Sequence, residues 1–301
     1  MKKTAFVVLA IALVGIVAAA GCISTETQSP EGYWTLPGTD VIMTITPEGS
    51  VLGKAPVNYF SGFCEVDGDK LTFNLASTLM TGSEDDSAFF AAVNSVDSFK
   101  IVDGKLVLMS EGKEVLTFAK AILGTWTTED CIVITFNRDM TFSGHGPVNS
   151  FSGTYAITEN GIEFTNVAAT QAFGTEEEMA VESAFFAVLA KPQTLSVGGG
   201  KLTIGELTLT ASVVGNWVTI GGIDVTFAED GTVSGKAPVN TFMGEYEVAD
   251  GKVTFKNIAA TKMMGAEEDM EAEAAFFEAL EGQTFALGKF LTAEGVTLIR
   301  A

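Results

Sequence analysis

The sequence predicts a mainly β protein of the α+β class, built from three tandem modules that each contain one packed helix. The first observation is a stretch of the form Gly-x-x-Pro-Val-Asn-x-Phe-x-Gly, which begins at Gly53, Gly144 and Gly235, with successive copies 91 residues apart. Such a fixed period indicates a tandem repeat. The second is that apolar residues alternate with polar ones around each copy, as in half-buried strands. The third is a single segment with helical spacing in each repeat.

Each module is expected to open with a glycine and tryptophan, followed by a β-hairpin. The tryptophans are Trp34, Trp126 and Trp217. In the first module Val41, Met43 and Ile45 then alternate with other residues, and Pro47-Glu48-Gly49 gives a turn before a short strand that carries Val51. The same order recurs twice, which predicts two antiparallel strands joined by a hairpin in every module.

The repeated stretch is expected to form a corner and then a second hairpin. After Pro-Val-Asn the alternation resumes, for example at Phe242, Gly244, Tyr246 and Val248, and a further turn such as Asp250-Gly251 follows. In the first module Cys64 stands at the position that a tyrosine occupies in the other two modules, which indicates a structural place on a strand face.

The helix of each module follows this hairpin. In the third module Met270, Ala274, Phe277 and Leu280 recur at helical spacing, matched in the second module by Met179, Ser183, Phe186 and Leu189. Acidic residues crowd the first turn, where they complement the positive end of the helix dipole. Closing strands are expected around Phe99 to Leu108, Leu195 to Leu209 and Phe285 to Leu298.

The N-terminus has the features of an export signal. Met1-Lys2-Lys3 precedes an apolar run from Ala5 to Ala20, and Gly21-Cys22 follows. The end of this run resembles a bacterial-type lipobox, although Ala19 replaces the usual leucine. We therefore predict lipidation at Cys22 and membrane anchoring outside the cytoplasm, with an uncleaved transmembrane helix as the alternative.

The predicted organisation has five parts. These are a signal peptide at 1–22, a linker at 23–32 and modules at 33–119, 120–211 and 212–301.

The composition argues against nucleic acid as a partner and against a bound metal or cofactor. The chain has 17 Lys and Arg against 38 Asp and Glu, a formal charge of −21, which disfavours binding to nucleic acid. Cys64 and Cys131 are expected to be buried free thiols, and the alternative is a disulfide between them. The lone His145 has no spaced ligand partner, so neither a metal site nor a cofactor is predicted.

The order of these features resembles the META (HslJ-like) domain family across nearly the whole chain after residue 32. In the third module the resemblance is carried by Trp217, Gly235, Asn240, Phe242, Gly244, Tyr246, Asn257, Ala259, Thr261, Met263, Glu273, Phe276 and Leu280. The first module is the most diverged but keeps Trp34, Asn58, Phe60, Gly62 and Thr78. The resemblance implies an antiparallel, barrel-like sheet with a helix in exported or membrane-anchored proteins, and no agreed biochemical activity.

One departure from the family concerns cysteine. Many members carry a Cys directly before the motif Asn and another after the motif Thr. This chain has valine at the first position in each module and glycine at the second, so the internal disulfide of the family is absent. The residues are Val57, Val148, Val239, Gly82, Gly174 and Gly265.

Six residues around the repeated corner form a candidate binding surface: Lys54, Asn58, His145, Asn149, Lys236 and Asn240. The favoured interpretation of the asparagines is structural, in which each side chain satisfies backbone groups at its corner. The acidic clusters before each helix are a weak candidate for calcium, because they lack the spacing of a calcium loop, and helix-terminal charge explains them better.

The leading functional hypothesis is a non-catalytic interaction or envelope-maintenance protein, including a chaperone-like role under stress. No arrangement of nucleophile, base and oxyanion donors is evident, because a single histidine cannot serve three copies. The alternative is a carrier that holds a small ligand inside each barrel, which requires a cavity of at least a few hundred cubic ångströms there.

Overall fold

The computed structural model describes residues 29–78 and 84–301, which contain three eight-stranded antiparallel sheets. The predicted signal segment and Cys22 lie outside the described residues. The fold class is confirmed, with three β modules that each carry one helix. No helix in the described ranges combines the length and apolar character needed to cross a bilayer.

Module 1 is a closed barrel in which every strand pairs with the next and the last pairs with the first. Its elements are β1 (Gly32–Thr35), β2 (Ile42–Ile45), β3 (Ser50–Lys54), β4 (Tyr59–Asp67), β5 (Lys70–Ser77), α1 (Glu84–Asn94), β6 (Ser98–Val102), β7 (Lys105–Ser110) and β8 (Lys113–Lys120). The predicted hairpins are therefore present, and the closing segment forms three strands.

Module 2 has the same order but its sheet is not fully closed. Its elements are β9 (Gly124–Thr127), β10 (Val133–Phe136), β11 (Thr141–His145), β12 (Ser150–Thr158), β13 (Gly161–Ala169), α2 (Glu176–Leu189), β14 (Leu195–Gly198), β15 (Lys201–Ile204) and β16 (Leu207–Ala211). Between β13 and β14 a single bridge joins Ile162 to Gln193 through two backbone hydrogen bonds of 2.9 Å.

Module 3 is again a closed barrel. Its elements are β17 (Gly215–Thr219), β18 (Asp224–Phe227), β19 (Thr232–Lys236), β20 (Thr241–Ala249), β21 (Lys252–Ala260), α3 (Glu267–Gly282), β22 (Thr284–Leu287), β23 (Leu291–Ala293) and β24 (Val296–Arg300).

The first glycine of the repeated stretch is required by a close cross-strand contact. Gly235 pairs with Phe242, whose ring lies over the glycine. A Cβ atom at Gly235 would lie 2.3 Å from the Phe242 ring and 2.2 Å from the Asp224 carbonyl oxygen, distances that real structures do not show. Gly53 and Gly144 meet the same restriction. Glycine and phenylalanine therefore fix the pairing of the third and fourth strands in each module.

The helix packs on its barrel through one buried phenylalanine. The ring centroids of Phe151 and Phe185 are 4.8 Å apart, and those of Phe242 and Phe276 are 5.7 Å apart. Phe60 and Phe89 make the same contact in module 1, also at 5.7 Å. Aromatic pairs of this kind add to the energy of apolar burial.

The prediction of the buried helix face is confirmed only in part, because Leu280 of α3 and Leu189 of α2 are buried as expected but other predicted positions are not. In α3 the side chains of Glu273, Phe276 and Leu280 are buried, whereas the predicted Ala274 is exposed and Phe277 is half-buried. The same holds in α2, where Ser183 is exposed. A carboxylate occupies the buried face, so a search for apolar residues alone selects the adjacent stripe.

The cysteines agree with the prediction only in part. Both are free thiols. Cys64 lies on β4 and is buried, and burial raises the pKa of its thiol to about 11. Cys131, which was expected to be buried, is exposed because it lies in the turn before β10, with a φ of 62°.

The segments between modules are buried and anchored. In each module the indole Nε1 of the first-strand tryptophan donates to the carbonyl oxygen four residues earlier. Trp126 bonds to Ile122 at 2.9 Å and Trp217 bonds to Val213 at 2.7 Å. Ile122 is completely buried and Val213 is 4% exposed. The connecting segments are therefore part of the core and hold the modules in one body.

Two arginines join all three modules. Arg138, in the turn between β10 and β11, donates to Thr44 Oγ1 of module 1 at 3.1 Å. It also donates twice to the Arg300 carbonyl oxygen of module 3, at 2.7 and 3.2 Å. The Arg300 amide in turn donates to the hydroxyl oxygen of Tyr33 at 2.7 Å. This set of contacts, Arg138, Arg300, Tyr33 and Thr44, is called the junction below.

We expect Arg138→Met to destabilise the protein by about 2 kcal/mol, because the Arg300 carbonyl loses two donors in a poorly hydrated position. The free energy of unfolding in urea measures this loss. Lys100→Met is the matched control, since Lys100 forms only an exposed ion pair with Glu114, and it should change stability by less than about 0.5 kcal/mol. Equal effects of the two substitutions would show that the junction does not stabilise the assembly.

Candidate functional site

The motif asparagine of each module lies in a buried network that joins the corner, the loop before the helix and the helix itself. In module 2 the Asn149 side-chain amide donates to Glu182 Oε2 at 2.7 Å. Its carbonyl oxygen accepts from Thr170 Oγ1 at 2.9 Å and from the Ala172 amide at 2.8 Å. Glu182 Oε1 accepts from the backbone amides of Val148 and Asn149 at 2.8 and 2.6 Å.

Module 3 repeats this network. Asn240 donates to Glu273 Oε1 at 2.6 Å and accepts from Thr261 Oγ1 and the Met263 amide, both at 2.7 Å. The other oxygen, Glu273 Oε2, accepts from the amides of Val239 and Asn240.

Module 1 keeps the pattern with a shorter acid. Asp86 accepts from the Val57 amide at 2.9 Å and from the Asn58 side chain, and Thr78 Oγ1 donates to Asn58 Oδ1 at 2.8 Å. We call each of these three sets of asparagine, threonine and helix carboxylate a corner clamp.

The structure supports a structural role for the asparagines but corrects its mechanism. Asn58, Asn149 and Asn240 are 4 to 5% exposed, so they do not form an accessible binding surface. The corner amides are satisfied by the helix carboxylate, and the asparagine side chain holds that carboxylate and the following loop. Sequence reasoning missed the role of the acid. The signal was its position three residues before the buried phenylalanine, which places both on one face of a helix.

The Glu182 carboxylate of the module 2 clamp stays ionised at neutral pH. Burial raises the pKa of the Glu182 carboxyl, but the hydrogen bonds from the Asn149 side chain, the Asn149 amide and the Val148 amide outweigh burial, and the pKa lies below its usual value. A lowered pKa in the folded state stabilises the fold at neutral pH. This contribution is lost as the pH falls through the pKa of the folded protein.

The three basic residues of the candidate surface have different surroundings. Lys54 forms an ion pair with Asp40 within module 1. His145 Nε2 lies 3.0 Å from Glu229 Oε1 and so links module 2 to module 3. Lys236 is exposed on β19. The equivalent position therefore does not bind one common feature in the three modules.

The acidic clusters belong to the helix ends. Glu178 closes a capping box with Thr175, in which its carboxylate accepts from the Thr175 amide at 2.8 Å and the Glu178 amide donates to Thr175 Oγ1 at 3.2 Å. The hydrogen bond from the Thr175 amide lowers the pKa of Glu178. Within residues 29–78 and 84–301 no group of three or more His, Cys, Asp or Glu side chains is arranged to hold a metal ion.

Three cavities in the described part of the chain lie between modules. One of about 600 Å³ separates module 1 from the turn that carries Arg138 and Asp139, and Lys54 lies at its wall. A second of about 800 Å³ lies between α3 and module 1, and its charged lining residues are the acids Glu48, Glu278 and Glu294.

The third cavity, of about 580 Å³, lies where all three modules meet and is called the central cavity. Its walls are mostly apolar and include Trp34, Leu123, Trp126, Val197 and Leu287. Its charged lining residues are Lys120, Lys201, Lys289, Arg300 and Glu31. The central cavity therefore has an excess of positive charge in a chain of net charge −21.

We expect Asn149→Ala to destabilise the protein by about 2 to 3 kcal/mol, because it leaves the buried Glu182 carboxylate, Thr170 and the Ala172 amide short of partners. Urea unfolding followed by tryptophan fluorescence measures the loss. Asn160→Ala, in the exposed turn between β12 and β13, is the matched control and should have little effect. A small and equal effect of both changes would mean that water replaces the asparagine without cost.

Comparison with protein families supports this description. The model of the META domain matches residues 23–122, 124–214 and 210–294, which together cover most of the chain. Comparison with curated proteins found no match. The three matched ranges correspond to the three β modules, so the chain belongs to the META domain family and carries three copies of the domain in tandem.

Proposed function

We propose that this protein is a membrane-anchored, extracytoplasmic lipoprotein that acts by binding to envelope components, not by catalysis. The anchoring part rests on the charged start, apolar run and Cys22 of the N-terminal sequence. The non-catalytic part is supported by the META family, whose members are generally not catalytic. It is also supported by the corner clamps, in which the repeated polar residues bond to one another inside the fold.

The observation that carries the binding proposal is a repeated exposed apolar side chain. Phe173 is 94% exposed and Met264 is 85% exposed, and each lies three residues before the helix of its module. A single exposed apolar side chain is common on protein surfaces, but its recurrence at the equivalent position of two modules supports an interaction role, and methionine adapts well to varied partners. We call these two residues the apolar tips.

The structure does not favour the alternative of a ligand inside each barrel. Packed rings occupy the interior of module 3, such as the edge-to-face pair of Phe227 and Tyr246 at 5.0 Å and the pair of Phe255 and Phe285 at 5.3 Å. The cavities described above lie between modules instead.

We expect Cys22→Ser to remove metabolic labelling with palmitate and to leave the protein as an unprocessed precursor or released from membranes. Cell fractionation and a palmitate-labelled gel measure this, and Ser24→Ala is the matched control that should retain both label and membrane association. Unchanged fractionation of Cys22→Ser would contradict lipidation and would favour an uncleaved transmembrane helix.

We expect a photo-crosslinking amino acid at Phe173 or Met264 to form specific adducts with envelope proteins in intact cells, because the apolar tips are free to contact a partner. Mass spectrometry identifies the adducts, and reciprocal purification of the partner verifies them. The control position is Glu163, which is exposed on β13. The same adducts at Glu163, or none at the tips, would overturn the proposed binding role of this surface.

A further inference from the structure

We infer that the central cavity binds a single-chain anionic amphiphile, with the apolar tail against the cavity wall and the acidic head near Lys120 and Lys289. This goes beyond the binding role proposed for the apolar tips, because it concerns a small molecule and a different part of the protein.

The volume and wall of the central cavity suit an apolar chain. A volume of about 580 Å³ lies within the roughly 300 to 1,000 Å³ that is usual for small-molecule sites, and such sites are mostly apolar with a few polar groups. Here Trp34 and Trp126 contribute aromatic surface, and Leu123, Val197 and Leu287 contribute aliphatic surface. These residues come from all three modules, so the site exists only in the assembled chain.

The charge of the central cavity favours an anionic ligand. The Lys120 ammonium is held by the Val197 carbonyl oxygen at 3.2 Å, and the Lys289 ammonium by the Glu31 carbonyl oxygen at 3.0 Å. Among the described residues neither amine has a carboxylate within ion-pair distance. Burial, and next the charge of Lys120, lower the pKa of Lys289, and the charge of Glu31 opposes them with a smaller effect. An acidic head group between the two amines would relieve their repulsion.

Arg300 adds a fixed positive charge to the same wall. Its guanidinium stacks on the Trp217 ring, with Cζ 3.8 Å from the ring centroid, and donates to the carbonyl oxygens of Val214 and Ser212. Burial lowers the pKa of Arg300 to about 10, which keeps the group charged at neutral pH. Since backbone carbonyls, not carboxylates, hold this arginine, its charge is also not neutralised by the protein.

The other two cavities lack this combination. The larger cleft beside α3 has only acids among its charged lining residues. The cleft near Lys54 has two bases, Lys54 and Arg138, against one acid, Asp139, and Lys54 already forms an ion pair with Asp40. Of the three cavities, the central cavity therefore has the largest excess of cations, with four bases against one acid, although acids outnumber bases in the chain by 38 to 17.

The test uses the full-length chain in vesicles of zwitterionic phosphatidylcholine, which has no net charge, and 11-bromoundecanoate as the probe. Bromine quenches tryptophan only at close range, and Trp34 and Trp126 line the central cavity, so quenching above the vesicle background reports a tail inside it. We expect saturable quenching below millimolar concentration. The uncharged 11-bromoundecanol, with the same tail, should require at least a tenfold higher concentration.

Substitutions then test the cationic wall. Lys120→Gln combined with Lys289→Gln should raise the half-saturating concentration of 11-bromoundecanoate at least tenfold. The matched control, Lys191→Gln combined with Lys252→Gln, removes two exposed charges outside the cavity and should change it by less than twofold. If the cavity double variant fails to fold, Lys201→Gln on the exposed β14–β15 hairpin should still weaken binding about threefold.

Three results would contradict the binding of an anionic amphiphile in the central cavity. Absence of saturable quenching by 11-bromoundecanoate, equal quenching by the alcohol, or an equal effect of the control pair would each overturn the inference. Competition by dodecyl phosphate would support it and show that phosphate as well as carboxylate heads are accepted, whereas binding without such competition would restrict the site to carboxylates.

Discussion

A buried carboxylate on the helix is the constraint around which each module is built. Removing a charged group from water is costly unless hydrogen bonds replace the water. Glu182 meets this requirement with three donors at 2.6 to 2.8 Å, two from the corner backbone and one from Asn149. Because the same asparagine also holds Thr170 and the following loop, the helix, the corner and the loop are fixed relative to one another. The clamp therefore determines where the helix phenylalanine meets the barrel.

The second level of organisation is the packing of the three modules into one body. A module of about 90 residues buries only a limited core by itself, and here the cores are shared. The apolar cluster of module 2 also contains Tyr33 and Ile42 from module 1 and Phe290 and Ile299 from module 3. The junction adds directional hydrogen bonds to this contact. Triplication thus creates surfaces between modules, including the central cavity, that a single META domain does not have.

The sequence predicted what is encoded locally and missed what depends on distant contacts. The 91-residue period, the hairpins and the helix follow from patterns within one repeat. Part of the buried helix face was misassigned because a carboxylate lies on it, and only the corner about 30 residues earlier explains why that carboxylate is buried. The contact between Arg138 and Arg300 joins residues 162 positions apart, and nothing in either local sequence indicates it. The same is true of the central cavity, whose wall is drawn from all three modules.

The central cavity lies close in sequence to the proposed lipid anchor, and this bears on how a ligand would reach the cavity from the membrane. Glu31 lines the cavity and follows Cys22 by nine residues. Even a fully extended segment of that length spans at most about 30 Å, so a lipidated Cys22 would hold the cavity within that distance of the bilayer surface. The remainder of the protein carries mostly negative charge, which an anionic membrane surface repels. A cationic cavity beside the tether would then be the part of the molecule best placed to receive a single-chain anionic amphiphile that leaves the membrane.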